Sequence, residues 1–196
     1  MKNKLLKDTG GFSLVELIVV VLIMAIISGG AIIAFNSIFS NQASAAGKSV
    51  VSALKQTRAY ALGKENKSYS EGRTDVYAEF RYSGSSLILD VCRKESATDV
   101  SILHSQTISS EAFKVKFYKV SGSTETEVLS MGDSDKVKIY FKKSTGGVSV
   151  CEKNNAEGGL VTGVNKIRIY RASNTGNYQD LVLVDLTGRC YLDTTT

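Results

Sequence analysis

Residues 11–35 read Gly11-Phe12-Ser13-Leu14-Val15-Glu16-Leu17-Ile18-Val19-Val20-Val21-Leu22-Ile23-Met24-Ala25-Ile26-Ile27-Ser28-Gly29-Gly30-Ala31-Ile32-Ile33-Ala34-Phe35. From Leu17 to Ile27 the run is wholly apolar, and between Phe12 and Phe35 only Ser13, Glu16, Ser28, Gly29 and Gly30 interrupt it. As a helix, residues 12–35 would span roughly 36 Å, enough to cross the hydrocarbon core of a bilayer. Lys2, Lys4 and Lys7 stand before the run and no lysine or arginine follows it until Lys48. That asymmetry predicts a single pass with the N-terminus in the cytosol and everything after the span outside.

Glu16 is the anomaly in this stretch. A lone carboxylate costs ~2.5–3.5 kcal/mol at the centre of a spanning helix, less near its edge, and such a residue usually has a partner. Glu16 would be the fifth residue of a product cut between Gly11 and Phe12. The new α-amine at Phe12 would be cationic, and in a neighbouring subunit it could neutralise Glu16 in a low-dielectric assembly. The acid would then disfavour an unassembled subunit and set the register of an assembled one.

Gly11-Phe12-Ser13-Leu14-Val15-Glu16-Leu17, behind a short lysine-rich leader, resembles the prepilin processing motif of type IV pilins and type II secretion pseudopilins. The resemblance implies cleavage after Gly11 by a membrane aspartyl prepilin peptidase and methylation of the amine of Phe12. It also implies a helix that is first a membrane anchor in lipid and later filament core among other pilin subunits, assembled by a platform with a cytosolic ATPase. Localisation would pass from the cytoplasmic membrane to an extracellular or periplasmic filament. The family usually carries proline where this chain has Ile33; here Gly29-Gly30, each weakening a helix by roughly 1 kcal/mol relative to alanine, offer either a flexible point or close packing of small residues. A secretory signal cut near Ala43-Ser44-Ala45 competes, but the apolar run is too long, carries a carboxylate and ends eight residues before that site. A plain signal-anchor fits the topology and leaves Glu16 unexplained.

Beyond the span the pattern turns periodic. Phe35, Phe39, Ala43, Ala46, Val50, Leu54 and Ala61 follow three- and four-residue steps, one stripe of an amphipathic helix, and Gly63 reads as its end. The expected organisation is a leader over 1–11, the membrane or assembly half of a helix over 12–35, its amphipathic half over 36–64, and an exported head over 65–196. From Val76 the period becomes two: Val76, Ala78, Phe80 and Tyr82 alternate with Tyr77, Glu79 and Arg81, and Ser83-Gly84-Ser85-Ser86 reads as a hairpin turn into Leu87, Leu89 and Val91. Further strands are expected near 99–108, 112–120, 125–130, 136–142, 147–152, 164–171 and 179–187, with turns at 144–147 and 173–177. The fold class is α+β, an antiparallel sheet or small sandwich folded over the helix end.

The segment from Ser52 to Leu62 followed by a hairpin, and a last strand Leu181-Val182-Leu183-Val184-Asp185-Leu186 running into Thr187-Gly188-Arg189, is similar to the GspH/FimT-type minor pilins and pseudopilins. Some DNA-uptake members of that branch close on glycine-arginine-x-arginine. Here Tyr191 stands in the place of the second arginine, which argues against DNA contact by that route. Three strands repeat a second pattern: Lys114, Lys116 and Tyr118; Lys136, Lys138 and Tyr140; Lys166, Arg168 and Tyr170. Alternation puts each set on one face, so neighbouring strands of this kind would build a surface for phosphates and bases, whereas isolated ones are solvated outer faces. These six cations and Arg189 are the candidate ligand or DNA contacts.

The net charge of +5 contains +2 from Lys2, Lys4, Lys7 and Asp8 of the leader, leaving +3, too weak a bias to argue for nucleic acid by itself. Cys92, Cys151 and Cys190 lie far apart without a C-x-x-C pair, which disfavours zinc; in an exported head they predict one disulfide and one spare thiol, with three possible pairings. No cofactor is expected. Catalysis is not expected either: His104 is the sole histidine, its pairing with Cys92 as a nucleophile has no supporting motif, and Asp90, Asp133 and Asp135 lack the glycine placement and further ligands of a calcium loop.

Overall fold

A computed structural model of the chain describes residues 13–63, 67, 72–96, 98–109, 113–155, 159–184 and 187–193, with side chains described throughout except at 29–37, 39–40, 174 and 177. Helix α1 runs Leu14–Ala61. Ser13 begins it: its hydroxyl accepts from the Glu16 amide at 3.2 Å and its carbonyl from the Leu17 amide at 3.2 Å. The helix ends in a tightened turn, with the Gly63 amide donating to the Tyr60 carbonyl at 3.0 Å.

The chain divides into two compact units, Met1–Phe39 and Ser40–Thr196. In the first, the side chains from Leu14 to Ile27 are all exposed, Leu14 at 76% and Ile26 at 68%. The expected span of 12–35 falls partly outside the described residues, since Phe12 and the side chains from Gly29 on are not among them. The described apolar part, 13–28, would cover only about 24 Å at 1.5 Å per residue. Among the described residues, therefore, no helix is long and apolar enough to cross a membrane.

Among the described residues the second unit holds eleven strands: β1 Val76–Ser83, β2 Ser86–Lys94, β3 Val100–Ser109, β4 Phe113–Ser121, β5 Thr124–Ser130, β6 Val137–Phe141, β7 Val148–Lys153, β8 Leu160–Val161, β9 Lys166–Arg171, β10 Asn174–Leu183 and β11 Cys190–Leu192. They form two antiparallel sheets, one ordered β3-β2-β1-β6-β7-β8 and the other β11-β10-β9-β4-β5. Alternation does the sorting. Ala78, Phe80, Leu87, Leu89, Val137 and Ile139 of the first sheet join Phe113, Val115, Phe117, Ile167, Ile169 and Leu181 of the second in one core. Phe80 and Phe117 meet edge-on with ring centroids 5.8 Å apart.

The amphipathic half of α1 completes that core through Ala43, Ala46, Val50, Leu54 and Ala61, the expected stripe, joined by Val51 and Ala53. Phe35 and Phe39 of the expected stripe lie outside the described side chains. Thr57, also fully buried, returns its hydroxyl to the Ala53 carbonyl at 2.9 Å, so a polar residue sits in the stripe without an unmet donor. Gly47 is required by proximity: a Cβ there would stand 2.8 Å from both Gln179 Cγ and Leu192 Cδ2.

The cysteines depart from expectation. Cys92, Cys151 and Cys190 are three separate buried thiols, and no pair of them is bridged. The reason is geometric. Cys92 lies on the outer face of its sheet with Tyr77, Tyr140 and Val150, whereas Cys151 lies in the core. The register Cys151–Ile139–Ala78–Val91 puts three strand spacings, about 14 Å, between Cys151 and the neighbour of Cys92, twice what a disulfide can span. Cys190 belongs to the other sheet and lies 3.5 Å from the Val51 carbonyl of α1.

Candidate functional site

Gly11 and Phe12, the expected processing site, lie outside the described residues. Glu16 is exposed in the first turn of α1, and no described residue pairs with its carboxylate. Ser13-Leu14-Val15-Glu16 has the spacing of a capping box, a signal that the reading of Glu16 as an assembly acid passed over. The half that forms is Ser13 accepting the Glu16 amide. A carboxylate here also faces the positive end of the helix dipole, so part of its cost is met within its own chain.

The six strand cations are divided between the sheets. β4 and β9 are neighbours, with Lys116 directly opposite Arg168, Lys114 opposite Tyr170 and Tyr118 opposite Lys166. The unfavourable like-charge pair is relieved by carboxylates from β5 and β10. Lys116 Nζ lies 2.8 Å from Glu127, and this hydrogen bond holds its pKa above the ordinary lysine value. Arg168 donates to Asp180 through Nε and Nη2, both at 2.7 Å, and reaches Glu125 at 3.2 Å, while its guanidinium lies 4.1 Å from the Tyr178 ring centroid and 5.0 Å from that of Tyr118. Burial depresses Lys166, but hydrogen bonds to Glu125 at 2.7 Å and Asp180 at 3.0 Å outweigh it and the net shift is upward. Lys114 pairs with Asp133. The face is thus a lattice of alternating charge laced with tyrosine rings, and its cations are already engaged.

The third set, on β6, lies in the other sheet. Lys136 faces Glu79 at 3.6 Å. Lys138 donates to Asn155 Oδ1 at 2.5 Å and stands 4.9 Å over the Tyr77 ring. Tyr140 is only 5% exposed and donates its hydroxyl to Glu152 Oε2 at 2.8 Å, and the other Glu152 oxygen takes Arg73 at 3.1 Å. Alternation alone could not foretell this: it assigns Tyr77 and Tyr140 to the outer face but does not show that Arg73, Thr74 and the loop before β3 border the same place. Burial, then the Glu152 hydrogen bond, drives the Tyr140 phenol well above its usual range.

Gly188 and Arg189 do different things. Gly188 has φ +62, and a Cβ on it would lie 2.5 Å from the carbonyl carbon of Gly146 and closer still to its oxygen. Gly146, itself at φ +72, abuts the Arg58 guanidinium, so the last turn of α1 and two loops meet where no side chain fits. Arg189 is exposed. Its amide is 3.4 Å from the Thr187 hydroxyl.

Burial pushes the Cys92 and Cys151 thiols up to about 12 and the Cys190 thiol up to about 11, the opposite of an activated nucleophile. His104 is exposed on β3, opposite Val91, while Cys92 pairs with Ile102. Asp90, Asp133 and Asp135 are held by Arg81, Lys114 and Lys153 respectively, and among the described residues no three His, Cys, Asp or Glu side chains are grouped as metal ligands.

Residues 6–32 match a family model described as the prokaryotic N-terminal methylation motif. The match contains Gly11, Phe12 and Glu16, so the chain carries the type IV pilin-like signal for prepilin processing, with the contacts to prepilin peptidase and other pilin subunits that the signal implies. Searches of curated proteins and of solved structures give no match.

Proposed function

We propose that this chain is a structural subunit, minor in abundance, of a type IV pilus or type II secretion pseudopilus. It is inserted with its N-terminus in the cytosol, cut between Gly11 and Phe12, methylated on Phe12, and assembled through α1 with Glu16 pairing to a neighbour's N-terminal amine. The methylation motif over residues 6–32 carries this reading. The helix side chains from Leu14 to Ile27, exposed along their whole length, support it, because that much apolar surface calls for lipid or sister helices. The head is the exported cargo of that helix. Its strand cations are mostly consumed by carboxylates of the same face, which favours a structural role over DNA capture. No catalytic role is proposed.

Two measurements test the proposal. Intact-mass and N-terminal sequencing of the mature chain should begin at a methylated Phe12; retention of residues 1–11, or trimming near Ala45, would remove it. Glu16→Ala should be processed and yet fail to enter filaments, and normal incorporation of that variant would eliminate the charge-pairing role while leaving processing intact.

A further inference from the structure

Of the six strand cations, Lys138 alone has no carboxylate within ion-pair distance among the described residues. Its ammonium has three donors, of which Asn155 Oδ1 takes one, while the Tyr77 ring contributes a face rather than an acceptor oxygen. Lys138 borders a cavity of about 460 Å³ on the outer face of the six-stranded sheet, a volume in the range of small-molecule sites. The walls carry Lys138, Lys94 and the Arg73–Glu152 pair, with the hydroxyls of Thr74, Thr98 and Tyr140 between; those of Thr74 and Tyr140 already donate to the Val76 carbonyl and to Glu152. Lys138 lies between two glutamates in the sheet, each engaged by another group: Glu152, opposite it on β7 and only 5% exposed, takes Tyr140 and Arg73, and Glu79, opposite it on β1, takes Lys136. Asn155, which positions the ammonium, holds an uncommon left-handed backbone at φ 54, as does Asn154 before it.

We propose that this cavity is a binding site for a small solute bearing an oxyanion (carboxylate, sulfate or phosphate), with Lys138 as the principal charge contact and the Thr98 hydroxyl as the second donor. Its lining shares no residue with the β4–β9 face. Its rigidity comes from the Tyr140–Glu152–Arg73 chain, which fixes the floor before any ligand arrives.

The test is an amide-resolved NMR titration of the full chain in detergent with sodium sulfate and, separately, sodium glucuronate, each against sodium chloride at matched ionic strength. Saturable shifts confined to Thr98, Lys138 and Asn155 are expected. Lys138→Gln should weaken binding at least tenfold, Lys138→Arg should restore it to within about threefold, and Lys114→Gln on the other sheet should leave it unchanged. Response to glucuronate alone would assign an acidic sugar or carboxylate, and response to both a general oxyanion site. Absence of saturable shifts at these residues, or equal binding by wild type and a folded Lys138→Gln, would overturn the proposal.

Discussion

Replacing Gly188 by alanine isolates the structural half of the glycine-arginine pair. Alanine at φ +62 pays ~1–2 kcal/mol for the left-handed conformation. Its Cβ would also penetrate the Gly146 carbonyl, a backbone group that cannot swing aside as a long side chain would. Relief requires moving the loop at Gly146, whose amide donates to the Lys142 carbonyl at 2.7 Å, and overpacking of this kind costs ~1–3 kcal/mol. The sum is about 2–5 kcal/mol out of the roughly 5–15 kcal/mol available to a domain. For a chain of this length that corresponds to a fall in Tm of roughly 4–20 °C. Thermal unfolding of the purified full chain in detergent, followed by circular dichroism, measures it. Arg189→Gln, an exposed change, should stay within about 0.5 kcal/mol of wild type. A Gly188→Ala protein melting within 2 °C of wild type would refute the close-approach argument.

Asp180→Ala should cost about 3–5 kcal/mol in urea unfolding, because it leaves Lys166 and Arg168 without the buried carboxylate they share; a loss below 1 kcal/mol would show that Glu125 suffices. All three thiols should resist iodoacetamide at pH 8 in the folded chain and all three should react in urea, with no mass change on reduction, whereas two unreactive cysteines in urea would reveal a disulfide. Hydrogen bonds from Lys153 and Asn154 and the Gly132 amide hold Asp135 at a pKa of about 2, below its ordinary 3.8. Its contribution is therefore fully present above about pH 4 and disappears as the pH falls through 2. Asp135→Asn should flatten that part of the stability curve, and an unchanged acid slope would show that Asp135 does not contribute.

Most of the head could be read from alternation, because a strand with one face in a core must repeat every second residue. The hairpin at Gly84 and the strands β3 to β7 and β9 fall within a few residues of expectation. The misses have physical causes. β8 and β11, at two and three residues, are too short to show a period. β10 starts at Asn174, inside a segment whose Asn, Thr and Gly content reads as a turn; the chain reverses at Ala172-Ser173 and the strand absorbs the rest through a register shift before Tyr178. The outer faces were less transparent. Lys138, Tyr140 and Arg168 have the same outward parity, yet Tyr140 is buried and Arg168 is stacked between rings, because their surroundings come from residues distant in sequence. Cysteine number suggested a disulfide, but number carries no information about which side of a sheet each thiol occupies.

The order of the second sheet sets a timetable for making the head. β9 is synthesised well after β4 and stands between β4 and β10, so a chain interrupted before Lys166 leaves the β4–β5 hairpin with Phe113, Val115 and Phe117 uncovered on one edge. β1 waits similarly for β6. With no proline anywhere in the sequence, there is no prolyl isomerisation to slow the late steps. Closure should follow promptly once Leu192 has emerged and β11 can pair with β10, and any nascent fragment released earlier would be prone to aggregate rather than merely incomplete.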